Sequence, residues 1–133
     1  MKRRRMPPRR AFTLVEIVVV LGIIALMLAI IIPYFIVNHR KAEAGRVLRD
    51  LKALDAAVQR YAIQTDKSPG VTPVFPELVP YLDPSTDVFR NKGKDIFGNT
   101  YGPFVVGSPP KVPLKTAYEL SGIVGDEFWS AYR

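Results

Sequence analysis

An uninterrupted apolar stretch near the amino terminus constrains this chain more than any other feature of its sequence. Residues 17–37 contain no charged side chain, and their only hydrogen-bonding side-chain group is the Tyr34 hydroxyl. A helix rises about 1.5 Å per residue, so roughly 20 residues cross a hydrocarbon core of about 30 Å. Residues 12–37 are therefore predicted to span a membrane as a helix.

Basic residues precede this segment and indicate its orientation. The formal net charge is +7, but six positive charges lie within residues 1–11. From Phe12 onward, thirteen basic residues are balanced by twelve acidic ones, without the basic patch that is typical of nucleic-acid-binding proteins. By the positive-inside rule, we expect a cytoplasmic amino terminus, residues from about 38 onward outside the membrane, and no nucleic-acid partner.

Two other kinds of protein share the pattern of a basic region before an apolar one. A secretory signal peptide has an apolar run of about 7 to 15 residues followed by a cleavage site with small residues. This run is longer, and Asn-His-Arg-Lys follows it at 38–41. A plain single-pass anchor fits the hydropathy but gives no reason for Glu16, because an ionisable group inside a spanning helix costs up to roughly 3 kcal/mol.

The residues around Glu16 resemble the processing site of type IV prepilins and type II secretion pseudopilins. The matching segment runs Arg10-Ala11-Phe12-Thr13-Leu14-Val15-Glu16-Ile17. The resemblance implies that a prepilin peptidase cuts between Ala11 and Phe12 and that the new terminal Phe12 is N-methylated. It also implies that Phe12, Glu16 and Pro33 take part in assembly. One departure is Ala11, since the family usually has Gly before the cleaved bond.

Residues 38–66 predict an amphipathic continuation of the same helix. Five apolar residues recur at spacings of four and three, which places them on one helical face: Val47, Leu51, Leu54, Val58 and Tyr61. Most charged residues are expected on the solvated face, where Arg46 and Asp50 can pair one turn apart.

The helix is predicted to be unusually long. No proline occurs between Pro33 and Pro69, so nothing forces an earlier end. One helix is expected from Phe12 to about Thr65, kinked or locally loosened at Pro33.

Residues 67–133 predict a small, loop-rich β domain. Nine of the twelve prolines and seven of the nine glycines lie from Pro69 onward, which is typical of short elements and turns. A helical turn is expected within 75–82 and a tight turn at 97–100. Strands of a small antiparallel sheet are expected at 88–89, 101–106 and 115–120. The predicted fold class is α+β and pilin-like, with the long helix packed on this sheet.

A second segment makes the resemblance more specific to one group of this family. Residues 95–101, Asp-Ile-Phe-Gly-Asn-Thr-Tyr, are similar to the Asp-x-aromatic-Gly-Asn-x-Tyr segment of major type II secretion pseudopilins. The chain has no cysteine, whereas many type IV pilins close this region with a disulfide. A secretion pseudopilus is therefore favoured over a type IV pilus, which stays the alternative. A monomeric membrane-tethered binding domain is a third hypothesis.

The resemblance implies a structural subunit rather than an enzyme, and the sequence contains no nucleophile elbow, phosphate-binding glycine loop or His-Glu-x-x-His motif. The implied location is the bacterial inner membrane, with the carboxyl-terminal domain and the assembled filament in the periplasm. The implied partners are other copies of the chain in a helical filament, the prepilin peptidase, an assembly ATPase, an inner-membrane platform protein and minor pseudopilins.

The carboxyl-terminal tail contains the weak candidates for a metal site. Major pseudopilins typically bind calcium in this region, and Asp126 and Glu127 are the available carboxylates. Calcium takes six to eight oxygen ligands, so solvated acidic residues and no cofactor are the preferred interpretation. His39, the only histidine, is expected to lie at the membrane interface rather than to bind a metal. Three aromatic residues are expected to close the core: Phe128, Trp129 and Tyr132.

Overall fold

The computed structural model describes residues 10–133, so most of the predicted leader at 1–11 lies outside the described residues. Within these described residues, four α-helices follow one another: α1 Leu14–Thr65, α2 Phe75–Leu78, α3 Asp87–Arg90 and α4 Leu114–Leu120. Turns of 3-10 helix occupy Val79–Tyr81, directly after α2, and Asp126–Trp129. The chain divides into two compact units, up to Ile36 and from Val37 onward.

The first unit is the apolar part of α1. Its large hydrophobic side chains are all exposed within the isolated chain. None of the most apolar part of α1 is buried. In the described part of the chain, α1 is the one helix long and apolar enough to cross a membrane. Pro33 lies inside α1 without ending it, and the kink expected there stays a prediction.

The second unit is built on the other part of α1. All five residues of the predicted apolar stripe are buried: Val47, Leu51, Leu54, Val58 and Tyr61. Ala44 and Ala57 lie on the same face and let the following segments approach the helix closely. Leu78, Val88 and Leu120, which come from α2, α3 and α4, are also completely buried in this core. The stripe is therefore the surface against which the short helices pack.

Asp50 lies in this core, which corrects the expectation that it belongs to the solvated face. Its side chain is only 2% exposed. The Oδ1 atom accepts a hydrogen bond from the Val88 N–H at 3.0 Å, and Oδ2 accepts one from the Tyr101 hydroxyl at 3.2 Å. Asp50 thus joins α1 to α3 and to the loop that contains Tyr101.

The spacing of Asp50 explains its burial. It follows Val47 by three residues and precedes Leu54 by four, so it shares their helical face. No Arg46–Asp50 ion pair forms within residues 10–133. Burial raises the pKa of the Asp50 carboxyl to about 6; the bonds from Val88 and Tyr101 oppose this rise, while nearby carboxylates add to it.

Two of the three predicted strands are wrong, because residues 88–89 lie in α3 and 115–120 lie in α4. Val88 is held as a helical residue by the bond from its N–H to a carboxylate of α1. In α4 the buried residues are Thr116 and Leu120, whose spacing of four is helical and not that of a strand. Tertiary contacts therefore override the preference of these residues for strands.

Extended pairing in the described residues is limited to short stretches. One isolated antiparallel bridge joins Lys94 and Thr100. At the end of the remaining predicted strand, 101–106, the Val106 N–H donates to the Val71 carbonyl and the Gly70 N–H donates to the Val106 carbonyl, both at 2.8 Å. Of the expected α+β fold, the long helix is present, and the β-structure is limited to these short pairings. Residues 10–133 form no continuous sheet.

A tight turn forms at 95–98, two residues before the predicted 97–100; the Gly98 N–H donates to the carbonyl of Asp95, and the turn is organised by Asp95. Its Oδ1 accepts hydrogen bonds from the N–H groups of Phe97 at 2.9 Å and Asn99 at 2.8 Å. Gly98 has a φ of 84°, which glycine adopts without strain. The second oxygen of Asp95 accepts a hydrogen bond from the Thr116 hydroxyl, so this turn is fixed to α4.

The buried stripe gives a prediction for stability. In a fragment of residues 38–133, Leu54→Ala should lower the free energy of unfolding by roughly 2 to 5 kcal/mol, because it leaves a cavity at a completely buried position. Urea unfolding measures this quantity. Arg49→Ala, at an exposed position of the same helix, is the control and should change it little. Equal stability of the Leu54 variant and the parent would contradict this core.

The buried carboxylate gives a prediction for pH dependence. Because the pKa of Asp50 is higher in the folded chain than its usual 3.8, stability should fall as the pH rises from about 4 through 6. The loss attributable to this group is up to about 3 kcal/mol. Asp50→Asn keeps a neutral side chain at all pH values and should remove this component. Unfolding free energies of the same fragment and its variant, measured from pH 4 to 7.5, test the difference; parallel curves would exclude the effect.

Candidate functional site

The start of α1 is organised by a reciprocal pair of hydrogen bonds between Thr13 and Glu16. The Thr13 Oγ1 accepts a hydrogen bond from the Glu16 N–H at 3.2 Å, and the Glu16 Oε2 accepts one from the Thr13 N–H at 2.8 Å. This arrangement is a capping box, which satisfies backbone donors that have no partner within the helix. The Glu16 carboxylate is thereby drawn back toward the predicted cleavage site.

Sequence reasoning missed this local role of Glu16. The signal was available, since a Thr followed three residues later by Glu directly before an apolar run is the pattern of a capping box. The cap explains where α1 begins and gives Glu16 hydrogen-bonded partners within its own chain. It does not exclude a second partner, because a carboxylate accepts several hydrogen bonds.

The predicted cleavage site lies just before this cap. Ala11 and Phe12 precede the first helical residue, Leu14, and have no regular secondary structure. Both are exposed, and the Phe12 side chain is 80% exposed. Exposed, non-helical backbone of this kind is where peptide bonds are most readily cut. Ala11, Phe12 and Glu16 thus come together at one end of α1, whereas Pro33 lies farther along the same helix.

The exposed apolar surface of α1 is the second component of the site. From Phe12 to Ile36 every described side chain is exposed, on all faces of the helix. Soluble monomers rarely leave contiguous apolar patches larger than a few hundred Å² uncovered. In the first unit this surface therefore needs either lipid or the apolar faces of other helices around it.

Polar residues begin where the second unit begins. His39 Nε2 lies 3.4 Å from the Glu43 Oε1, and the Arg40 guanidinium lies 3.7 Å from the other oxygen of Glu43. The side chain of His39 is largely exposed at this point of α1, and that of Arg40 is partly exposed. This pattern fits a helix that leaves the hydrocarbon region close to residue 38 and continues in water.

The carboxyl-terminal acidic residues match a calcium site poorly. Asp126 Oδ2 accepts a hydrogen bond from the Arg133 guanidinium at 2.9 Å, which places a positive charge beside the carboxylate. Glu127 is exposed. Residues 10–133 contain no group of three or more acidic, His or Cys side chains that could hold a metal ion. We derive no role for calcium from this donor set.

Comparison with known proteins links the amino-terminal segment to a processing signal. A family profile described as the prokaryotic N-terminal methylation motif matches residues 6–32. This range includes the predicted cleavage site, the capping box and most of the apolar part of α1. No solved structure matches the chain.

Several curated proteins are similar to more of the chain, and all of those named here are called type II secretion system core protein G. The protein of Escherichia coli K12 is 30% identical over 101 residues, 70% of this chain and 70% of that protein. The Aeromonas hydrophila protein is 26% identical over 122 residues, which cover 86% of this chain and 83% of that protein. A match to the Klebsiella pneumoniae protein is 34% identical but spans 48% of this chain and 46% of that protein.

Proposed function

Because this chain belongs to the type II secretion system core protein G family, we propose that it is a structural subunit of a type II secretion pseudopilus. The observation that carries the proposal is the processing motif placed directly before a helix that is apolar and exposed on every face. Such a helix requires lipid before assembly and the helices of sister subunits after it.

The proposed sequence of events begins in the inner membrane. The leader stays in the cytoplasm, the apolar part of α1 spans the bilayer, and residues from about 38 onward lie in the periplasm. A prepilin peptidase removes residues 1–11, and Phe12 becomes the methylated amino terminus. An assembly ATPase and a platform protein then raise the subunit into a helical filament that includes minor pseudopilins. The subunit works by packing, with no catalytic step and no cofactor of its own.

Glu16 has a defined part in this proposal. Cleavage leaves a positive charge on the Phe12 amine, one helical turn before the Glu16 carboxylate. In the filament, this carboxylate pairs with the Phe12 amine of a neighbouring subunit, since a charge inside a bundle of apolar helices is costly without a partner. The pair selects one axial offset between neighbours, because only one offset brings the two groups together. The capping box keeps Glu16 satisfied until that partner arrives.

Deletion of the gene tests the choice of filament. The expected result is the loss of a set of proteins from the culture medium and their retention in the periplasm, with surface motility and DNA uptake unchanged. Comparison of the secreted proteome of the mutant and the complemented strain measures this. Normal secretion together with lost motility or DNA uptake would instead support the type IV pilus. An unprocessed leader on a monomeric mature protein would support the tethered binding domain.

Substitution of Glu16 tests the pairing. Glu16→Leu should leave membrane insertion and cleavage intact and strongly reduce the yield of filaments sheared from overproducing cells, because it removes only the ionisable partner. Glu16→Asp, which is charged but one methylene shorter, should be intermediate. The control is mass spectrometry of the membrane-extracted subunit, which should begin with methylated Phe12 in every variant.

Each result of this experiment is informative. Normal processing with a normal filament yield in Glu16→Leu would contradict the pairing and would leave Glu16 with its role at the helix start. Loss of cleavage or methylation in the same variant would show that the enzymes read Glu16 directly. Cleavage beyond residue 37, in any variant or in the parent, would contradict the assignment of a prepilin leader.

A further inference from the structure

The outer face of α4 is an exposed apolar surface on the second unit. Leu114 and Tyr118 lie one helical turn apart and are 88% and 82% exposed, whereas Thr116 and Leu120 on the opposite face are completely buried. These are the two most exposed large hydrophobic side chains of the described second unit. An amphipathic helix that turns a Leu and a Tyr toward water has the composition of an interface, where aromatic residues are enriched.

Two opposite charges flank this apolar pair. Lys115 and Glu119 are exposed on α4 beside Leu114 and Tyr118. Neither side chain takes part in an ion pair within residues 10–133, although they lie four residues apart. The face therefore offers an apolar centre together with one unpaired cation and one unpaired anion.

A matching surface runs along α1, on the side opposite the buried stripe. Its members recur at spacings of four and three and define the outer stripe: Gly45, Arg49, Lys52, Ala56, Gln59 and Ile63. All but Gly45 are exposed, and Gly45 and Ala56 are small enough to admit another helix closely. Arg49 and Lys52 have no ion pair in the described part of the chain.

The charges of the outer stripe complement those of α4. Lys52 supplies a free ammonium group for Glu119. Asp55, three residues farther along α1, is half-buried, accepts a hydrogen bond from the Gln59 amide at 3.3 Å and supplies a carboxylate for Lys115. Ala56 leaves room beside Lys52 for an aromatic or aliphatic side chain. Each surface thus has a cation and an anion that can pair with the opposite charges of the other. The outer stripe also has space for the large apolar side chains of α4.

We propose that the outer face of α4 docks on the outer stripe of α1 in a second copy of this chain. Leu114 and Tyr118 cover the surface around Ala56, and Glu119 pairs with Lys52 of the neighbour. The inference rests on the proposed function, because a filament repeats one subunit and brings unlike faces of identical copies together at every step. The outer stripe belongs to the same helix as the apolar assembly segment, so one helix carries both contacts.

A charge exchange tests the pairing in the full-length chain. Glu119→Lys and Lys52→Glu should each reduce filament yield by about tenfold or more, since each places like charges opposite one another. The double variant restores opposite charges and should recover most of the yield. Glu127→Lys changes the net charge as Glu119→Lys does, but lies outside α4, and should assemble normally. Processed subunit in the membrane is measured in every strain as the control for folding and cleavage.

Cross-linking tests the contact directly, with substitutions that change the size of each side chain little. The natural chain has no cysteine, so two differently tagged copies can carry one each, Ala56→Cys in one and Ser121→Cys in the other. Ser121 follows Tyr118 by three residues and is exposed at the end of α4. A short bis-maleimide should join the two copies in filaments. Ser68→Cys, an exposed serine just after α1, replaces Ser121→Cys in the matched control and should not react with Ala56→Cys.

The outcomes separate this docking from the proposed function. Normal assembly of both single charge variants, no recovery in the double variant, or no preference for Ser121→Cys over Ser68→Cys would overturn the docking while parental filaments continue to support the function. Capture of another protein by Ser121→Cys in place of a second copy would also overturn it. If the processed parent forms no filament, the proposed function fails, and the docking fails with it.

Discussion

Burial of one stripe of α1 is the interaction on which the second unit depends. The other helices of that unit are four to seven residues long, too short to be stable alone. They acquire structure because each places a side chain such as Leu78, Val88 or Leu120 against α1. Ala44 and Ala57, on the same face as the stripe, are also buried, and the larger residues fill the space between the elements. The long helix thus acts as the template for a region that has no continuous sheet of its own.

Two buried carboxylates supply the specificity that apolar packing lacks. Asp50 accepts hydrogen bonds from α3 and from Tyr101, and Asp95 accepts them from its own turn and from Thr116 on α4. Hydrophobic contacts tolerate small shifts, whereas a hydrogen bond at about 3 Å requires particular atoms to meet. Burial raises the pKa of the Tyr101 hydroxyl, so this residue stays a donor to Asp50 under all ordinary conditions. The loops are in this way assigned to fixed positions on α1.

The sequence predicted features that depend on local spacing and missed those that depend on distant contacts. The buried stripe and the end of α1 near Thr65 follow from periodicity and turn chemistry and are observed, and the predicted spanning segment is observed as an apolar, exposed part of α1. The turn predicted at 97–100 forms two residues earlier. Strands at 88–89 and 115–120 were wrong because the partners that make these residues helical lie far away in sequence. The charge of Asp50 predicts a solvated position, whereas its spacing from Val47 and Leu54 places it on the buried face. At the processing site, the order of residues was readable, while the hydrogen bonds that define the start of α1 were not considered.

The capping box has a consequence for the energetics of subunit exchange. A carboxylate that already accepts the Thr13 N–H does not enter the membrane as a bare charge, so the subunit can remain there while it waits. If the amine of a neighbouring subunit replaces the Thr13 N–H as the partner of Glu16, one favourable contact replaces another. The net gain in free energy is then smaller than the gain for a carboxylate that had no partner before. Such a contact selects the axial offset between neighbouring subunits but contributes little to the free energy of filament growth. In the proposed filament, the contact between apolar helices supplies the driving force for growth.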